Sequence, residues 1–117
     1  MGDLIVTERL VSRVKAFEQI AEESDGALRT ELAVIALRLP YFVHVPLTQG
    51  QFEALIDFAY SCGFDELKNS ALLRCLNDEN LAGAIESFRH WKPSQGELTQ
   101  DLYRRRMEER AWFLGIL

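Results

Sequence analysis

The chain has 117 residues, 48% of them hydrophobic and 26% charged, which suits one globular domain with a real core but not two. Its net charge of −5 argues against a general binder of nucleic acid or of anionic surfaces. No run approaches the roughly 20 apolar residues of a membrane span, and no secretory signal is visible, so a single cytoplasmic domain over residues 1–117 is expected.

Residues 3–24 read as a first helix, with Thr7 as a plausible cap and Glu8 near its positive end. Its apolar stripe is Leu10, Val14, Phe17 and Ala21, flanked by Val11 and Ile20, and Ser24-Asp25-Gly26 is a turn signal. A second helix is expected over residues 27–39, with Leu28, Leu32, Ile35 and Leu39 on its apolar side. Pro40 stops it, because proline disfavours helical geometry in the residue before it. The central helix, over about residues 48–62, has the strongest signals. Thr48 and Gln51 stand in capping-box relation, Phe52, Leu55, Ile56, Ala59 and Tyr60 form its stripe, and Gly63 closes it.

Residues 64–68 read as a loop, after which Asn69 or Ser70 caps a short helix carrying Leu72, Leu73 and Leu76. Asp78 or Asn80 caps the next, whose stripe is Leu81, Ala84, Ile85, Phe88 and Trp91. Lys92-Pro93-Ser94-Gln95-Gly96 is a loop by composition. Thr99 caps the last helix, with Leu102, Met107, Ala111, Phe113 and Leu114 available to the core. No alternating β-branched run appears, so the fold class is all-α, with five or six helices around the central one.

Chemistry is sparse in this pattern. Cys62 and Cys75 are too few for a disulfide framework and lack Cys or His neighbours at zinc spacing, so they read as small core fillers. His44 and His90 have no partner at ligand or triad spacing. No metal site and no cofactor are implied. Arg104, Arg105, Arg106 and Arg110 make the last helix basic. They read either as a solvated surface with internal ion pairs, such as Arg105 with Glu109, or as a partner-binding patch.

From the central helix onward the chain resembles the C-terminal lobe of phage-type lysozymes, glycoside hydrolase family 24. Four blocks carry the resemblance, in the family's order over residues 43–114. Val45-Pro46-Leu47-Thr48-Gln49, Gln51-Phe52-Glu53-Ala54-Leu55, Phe58-Ala59-Tyr60 and Gly63 make the central helix. Ser70-Ala71-Leu72-Leu73-Arg74 with Leu76-Asn77 makes the short one, and Ala82-Gly83-Ala84 with Phe88 and Trp91 the next. Leu102-Tyr103-Arg104-Arg105-Arg106 with Glu109 makes the arginine-rich last helix.

The resemblance implies a glycan-cleaving site N-terminal to this lobe. A Glu ending the first helix acts as general acid, while an Asp and a Thr on a small β-hairpin assist the attacking water. Phe17-Glu18 is similar to the Phe-Glu that ends the family's first helix, and Asp25-Gly26 followed by Thr30 faintly echoes the Asp, Gly and Thr. The hairpin's Gly-Tyr-Gly turn and strand pair are missing. The catalytic candidates are therefore Glu18, Asp25 and Thr30. Against them, Glu18 with Glu22 and Glu23 reads as a solvated acidic face, Asp25 as a turn residue and Thr30 as a cap or surface residue.

Three functions follow. The expected one is a phage- or prophage-derived lysozyme-like protein that has lost its catalytic hairpin and binds or inhibits a host or phage protein. The second is a muramidase using Glu18 on a shortened scaffold. The third is a non-catalytic peptidoglycan-binding module. The negative charge disfavours attraction to anionic cell-wall polymers.

Overall fold

Thr48 sets the start of the central helix. Its hydroxyl accepts the Gln51 amide at 3.1 Å, and the Gln51 side chain accepts the Thr48 amide at 2.9 Å, so two otherwise unpaired donors are satisfied reciprocally. The computed structural model describes residues 4–117. Asp3, placed in the first helix on sequence grounds, lies outside the described residues. The elements are α1 (Glu8–Glu18), α2 (Asp25–Arg38), α3 (Gln49–Cys62), α4 (Phe64–Lys68), α5 (Ala71–Asn77), α6 (Leu81–His90) and α7 (Gln100–Phe113). Short 3-10 turns occupy Glu22–Ser24 and Leu39–Tyr41, and no strand occurs among the described residues.

The all-α lobe around a central helix is thus the observed architecture. The central helix, α3, lies against α1, α2, α4 and α7, while α6 packs on α5 and α7. Every residue from Phe52 to Ala59 is buried, so α3 is enclosed on all sides rather than along one stripe. Its closest neighbour is α7. A Cβ on Gly50 would stand 2.4 Å from the Trp112 carbonyl oxygen, so only glycine permits the two backbones to approach this closely. Edge-to-face rings fill the remaining spaces, Phe88 on Phe113 at 5.4 Å and Phe42 on Phe64 at 5.3 Å. The Asn77 side chain, at the end of α5, pins the segment before α3: it accepts the His44 amide and donates to the Phe42 carbonyl, both at 2.8 Å.

Two expectations are corrected. The first helix does not run to Ser24: Gln19 turns left-handed at φ 54°, and the Gln19 and Ile20 amides both donate to the Lys15 carbonyl. This closure swings Ile20 onto the core, the apolar contact that accompanies such a stop. Residues 64–68 are not a loop, because Phe64 and Leu67 stand three apart, both buried, and wind the segment into α4. That turn raises the expected five or six helices to seven. Ser70, Asn80 and Thr99 each cap the helix that follows.

Replacing Leu55, fully buried in α3, with Ala is expected to cost about 2–5 kcal/mol. Gly50→Ala is expected to cost about 1–3 kcal/mol by forcing α3 and α7 apart. Chemical denaturation of both variants checks this, and a neutral Gly50→Ala would show that the α3–α7 contact is looser than described.

Candidate functional site

Asp57 and Glu53 stand four residues apart in the most buried helix, and neither side chain reaches solvent. A charge in such a place must be paired. Glu53 accepts from the Gln49 amide at 2.7 Å, the Thr7 hydroxyl at 3.0 Å and Arg9 at 3.2 Å. The Gln49 side chain in turn exchanges hydrogen bonds with the Ile5 backbone, so the start of the chain is strapped onto α3.

Asp57 is paired from α7. Arg105 forks onto it, with Nε 3.0 Å from one carboxylate oxygen and a terminal nitrogen 2.8 Å from the other. Its remaining terminal nitrogen donates to Glu18, the last residue of α1. The same guanidinium lies 4.7 Å from the centre of the Phe17 ring. Arg105 is only 5% exposed, and it joins α1, α3 and α7 through one planar group. The neighbouring Arg106 is fully buried between the Phe58 and Trp91 rings, at 4.9 and 5.0 Å from their centres. It donates to Glu109 at 2.7 Å and to the Cys62 sulfur. Burial pushes the Cys62 thiol up to about 11 despite Arg106, so this cysteine is a poor nucleophile.

Glu109 completes the cluster. One of its oxygens takes the Arg106 bond; the other has no donor. Burial, followed by the charge of Asp57, holds the Glu109 carboxyl well above the usual carboxylate range. Burial would raise Asp57 too, but hydrogen bonds from Glu109 and Arg105 outweigh it and bring that carboxyl below its ordinary value. The two carboxyls are thus pushed in opposite directions, Glu109 towards the protonated form and Asp57 towards the ionised one. Arg105 serves Asp57 and Glu18, while Arg106 serves Glu109.

Of the three catalytic candidates, Glu18 alone touches this cluster. Its side chain is 35% exposed. Asp25 sits in a separate surface group: the Lys15 ammonium is 2.5 Å away and Arg29 Nε 2.6 Å away, and both hold its carboxyl below the usual range. Arg29 also forks onto Glu8 at 2.6 and 2.9 Å, tying α2 to the start of α1. The Thr30 hydroxyl donates to the Gly26 carbonyl at 3.0 Å. Glu18 and Asp25 share no hydrogen-bonding partner among the described residues. The expected arginine patch is divided. Arg105 and Arg106 are inside, Arg110 is half-buried, and Arg104 is exposed beside Asp101 at 3.9 Å.

A depression of about 700 Å³ lies between the end of α3, α4, the start of α5 and the segment after α6, with Cys62, Phe64, Ser70, Trp91 and Lys92 among its walls. Glu18, Asp25 and Thr30 do not line it. No three His, Cys, Asp or Glu side chains among the described residues are grouped to hold a metal ion. No described helix is long and apolar enough to cross a membrane.

The fold is thus an all-helical lobe whose last helix inserts two adjacent arginines beside the central helix. The phage lysozyme family model matches residues 5–109, and the chain belongs to that family. It is 37% identical over 93 residues to the endolysin of Bacillus phage B103, covering 80% of this chain and 35% of that protein. To the endolysin of Salmonella phage P22 it is 35% identical over 95 residues, covering 81% and 64%. The chain thus spans about a third of the Bacillus phage protein and less than two thirds of the P22 protein. Among solved structures, the muramidase domain of SpmX from Asticaccaulis excentricus superposes with a TM-score of 0.84 at 24% identity, covering 96% of this chain and 99% of that one. The endolysin from Escherichia coli O157:H7 phage FAHEc1 gives 0.84 at 17% identity, covering 99% and 97%. These two likenesses concern the fold.

Removing Arg105 leaves Asp57 buried and uncompensated, so Arg105→Ala is expected to destabilise by about 3–5 kcal/mol. Arg104→Glu, by contrast, should leave melting within about 0.5 kcal/mol of wild type.

Glu109 gives a pH signature. Its folded-state carboxyl binds a proton more tightly than the unfolded one, so its contribution is full below about pH 4.3 and is lost as pH rises towards the folded value. Glu109→Gln keeps the shape and both hydrogen-bonding roles without a titrating proton. Melting across pH 5–8 should fall more steeply in wild type than in Glu109→Gln, by up to about 1.4 kcal/mol per pH unit. Parallel profiles would show that Glu109 is ionised in the folded protein.

Proposed function

We propose that this protein is a lysozyme-fold binding or inhibitory protein, directed at a host or phage protein, that does not cleave peptidoglycan. The observation that carries the reading is the link between α1 and α2. It consists of residues 19–24 and contains a left-handed stop and one 3-10 turn, with no strand. An inverting glycosidase needs a second carboxyl roughly 6.5–9.5 Å from the acid, with room for a water between them. Asp25 is tied up by Lys15 and Arg29, and Thr30 is engaged with its own helix. Among the described residues, neither Asp25 nor Thr30 shares a hydrogen-bonding partner with Glu18. Arg104 and the outer part of Arg110 remain as candidates for contact with the protein partner.

A second reading keeps the muramidase, with Glu18 as its acid. It is favoured by the half-exposed position of Glu18 at the end of α1, and by relatives named as endolysins. A peptidoglycan-binding module is a third.

Turbidity loss of outer-membrane-permeabilised cells separates them. Wild type and Glu18→Gln are both expected to leave the suspension uncleared, since loss of orientation alone removes several kcal/mol of barrier lowering. Clearing by the wild type that vanishes in Glu18→Gln would restore the muramidase. Sedimentation of the protein with purified sacculi, without lysis, would favour the binding module.

A further inference from the structure

α2 and the 3-10 turn that continues it are apolar on two opposite sides. The inner side sends Leu28, Leu32 and Leu39 into the core. On the outer side, Val34 is 48% exposed, Leu37 73% and Tyr41 79%, at three- and four-residue spacing along one strip. Helices that are apolar all round are ordinarily enclosed, and an exposed strip rimmed by polar residues marks a surface that is covered in use.

We propose that this strip is covered by α2 of a second copy of the chain, laid antiparallel across a twofold axis. The charges at its edge specify the occupant. Glu31 and Arg38 both lie along the same edge of the strip, seven residues apart. At 1.5 Å per residue their backbones are about 10.5 Å apart, too far to pair within one helix. In a twofold antiparallel pair like edges meet. A crossing near Val34 and Ile35 then sets Glu31 of each copy against Arg38 of the other, while Val34 and Leu37 of the two copies interleave. A parallel pair would bring the charged edge against the opposite one, which carries Ala33, and leave both charges unpaired.

Neither group is committed elsewhere to an ion pair. Among the described residues Glu31 has no hydrogen bond or salt bridge, and the Arg38 guanidinium lies over the Phe64 ring at 3.9 Å with no carboxylate beside it. The inference stands apart from whether peptidoglycan is cleaved.

One helix pair of this length falls in the smallest class of specific interfaces, so the association is weak, with a Kd of roughly 10–100 µM. Sedimentation equilibrium of the full chain at low salt, up to several times that concentration, should show reversible dimerisation. Leu37→Glu should weaken it at least about tenfold with melting unchanged, because Leu37 is outside the core. Glu31→Arg should weaken it similarly, by placing two arginines face to face, and Glu31→Arg with Arg38→Glu should restore it. Since Arg38 also stacks on Phe64, a second measurement is independent of that swap. Mild oxidation should trap Val34→Cys, near the axis, as a reducible dimer, while wild type and Ser12→Cys stay monomeric on a denaturing gel. A chain that remains monomeric throughout, a dimer indifferent to Leu37→Glu, or a Val34→Cys variant trapped no faster than Ser12→Cys would overturn the proposal.

Discussion

The fork between Arg105 and Asp57 is the constraint on which the arrangement of α1, α3 and α7 depends. An unpaired carboxylate inside α3 would be driven to take up a proton or to unfold its surroundings. One planar cation with two parallel donors removes that penalty in one geometry only. Consecutive residues of a helix point 100° apart, so sliding α7 by one position would carry Arg105 away from Asp57 and offer Arg104 or Arg106 at the wrong angle. The apolar contacts of Phe88, Trp112 and Phe113 supply driving force without much direction. The ion pair supplies the register.

That cluster also explains why one acid of the core is drawn towards its proton. Glu109 has Arg106 on one oxygen and no donor on the other, so its burial and the nearby charge of Asp57 favour the proton-bound form. In that form it can donate to Asp57 and leave its other oxygen for Arg106. Glu18 is the one charged member that meets solvent, so any partner reaching this face meets a carboxylate already tied to the interior through Arg105. In such a place Glu18 has a structural task whether or not it has a chemical one.

Much of this was legible in the sequence, and the part that was not has a common physical cause. Thr48, Ser70, Asn80 and Thr99 announce their helices because capping is local: donor and acceptor lie within four residues. Leu55, Ile56 and Phe58 announce a core helix by spacing. Nothing in that spacing marks Glu53 and Asp57 as buried, because a period cannot reveal that a second layer covers their side. Their partners Thr7, Arg9 and Arg105 are more than forty positions away. A carboxylate on each side of Leu55 and Ile56, in a chain with three consecutive arginines, was the available signal for a buried pair. Gln19 hid the end of α1 for a different reason: glutamine carries no expectation of a left-handed turn, and only the pull of Ile20 into the core forces one.

The junction between α1 and α2 has one more consequence. Lys15, in the last turn of α1, holds Asp25, the first residue of α2, and Arg29 reaches back to Glu8. The two helices are thus fastened to each other independently of the residues that connect them. The connection leaves and returns at nearly the same place, and the entropy of closing a loop between fixed ends grows only with the logarithm of its length. A hairpin could be spliced into residues 19–24, or removed from them, while the clamp and the core beneath it register little change. Such a join lets one seam be rebuilt with the rest of the protein as an unaltered mount.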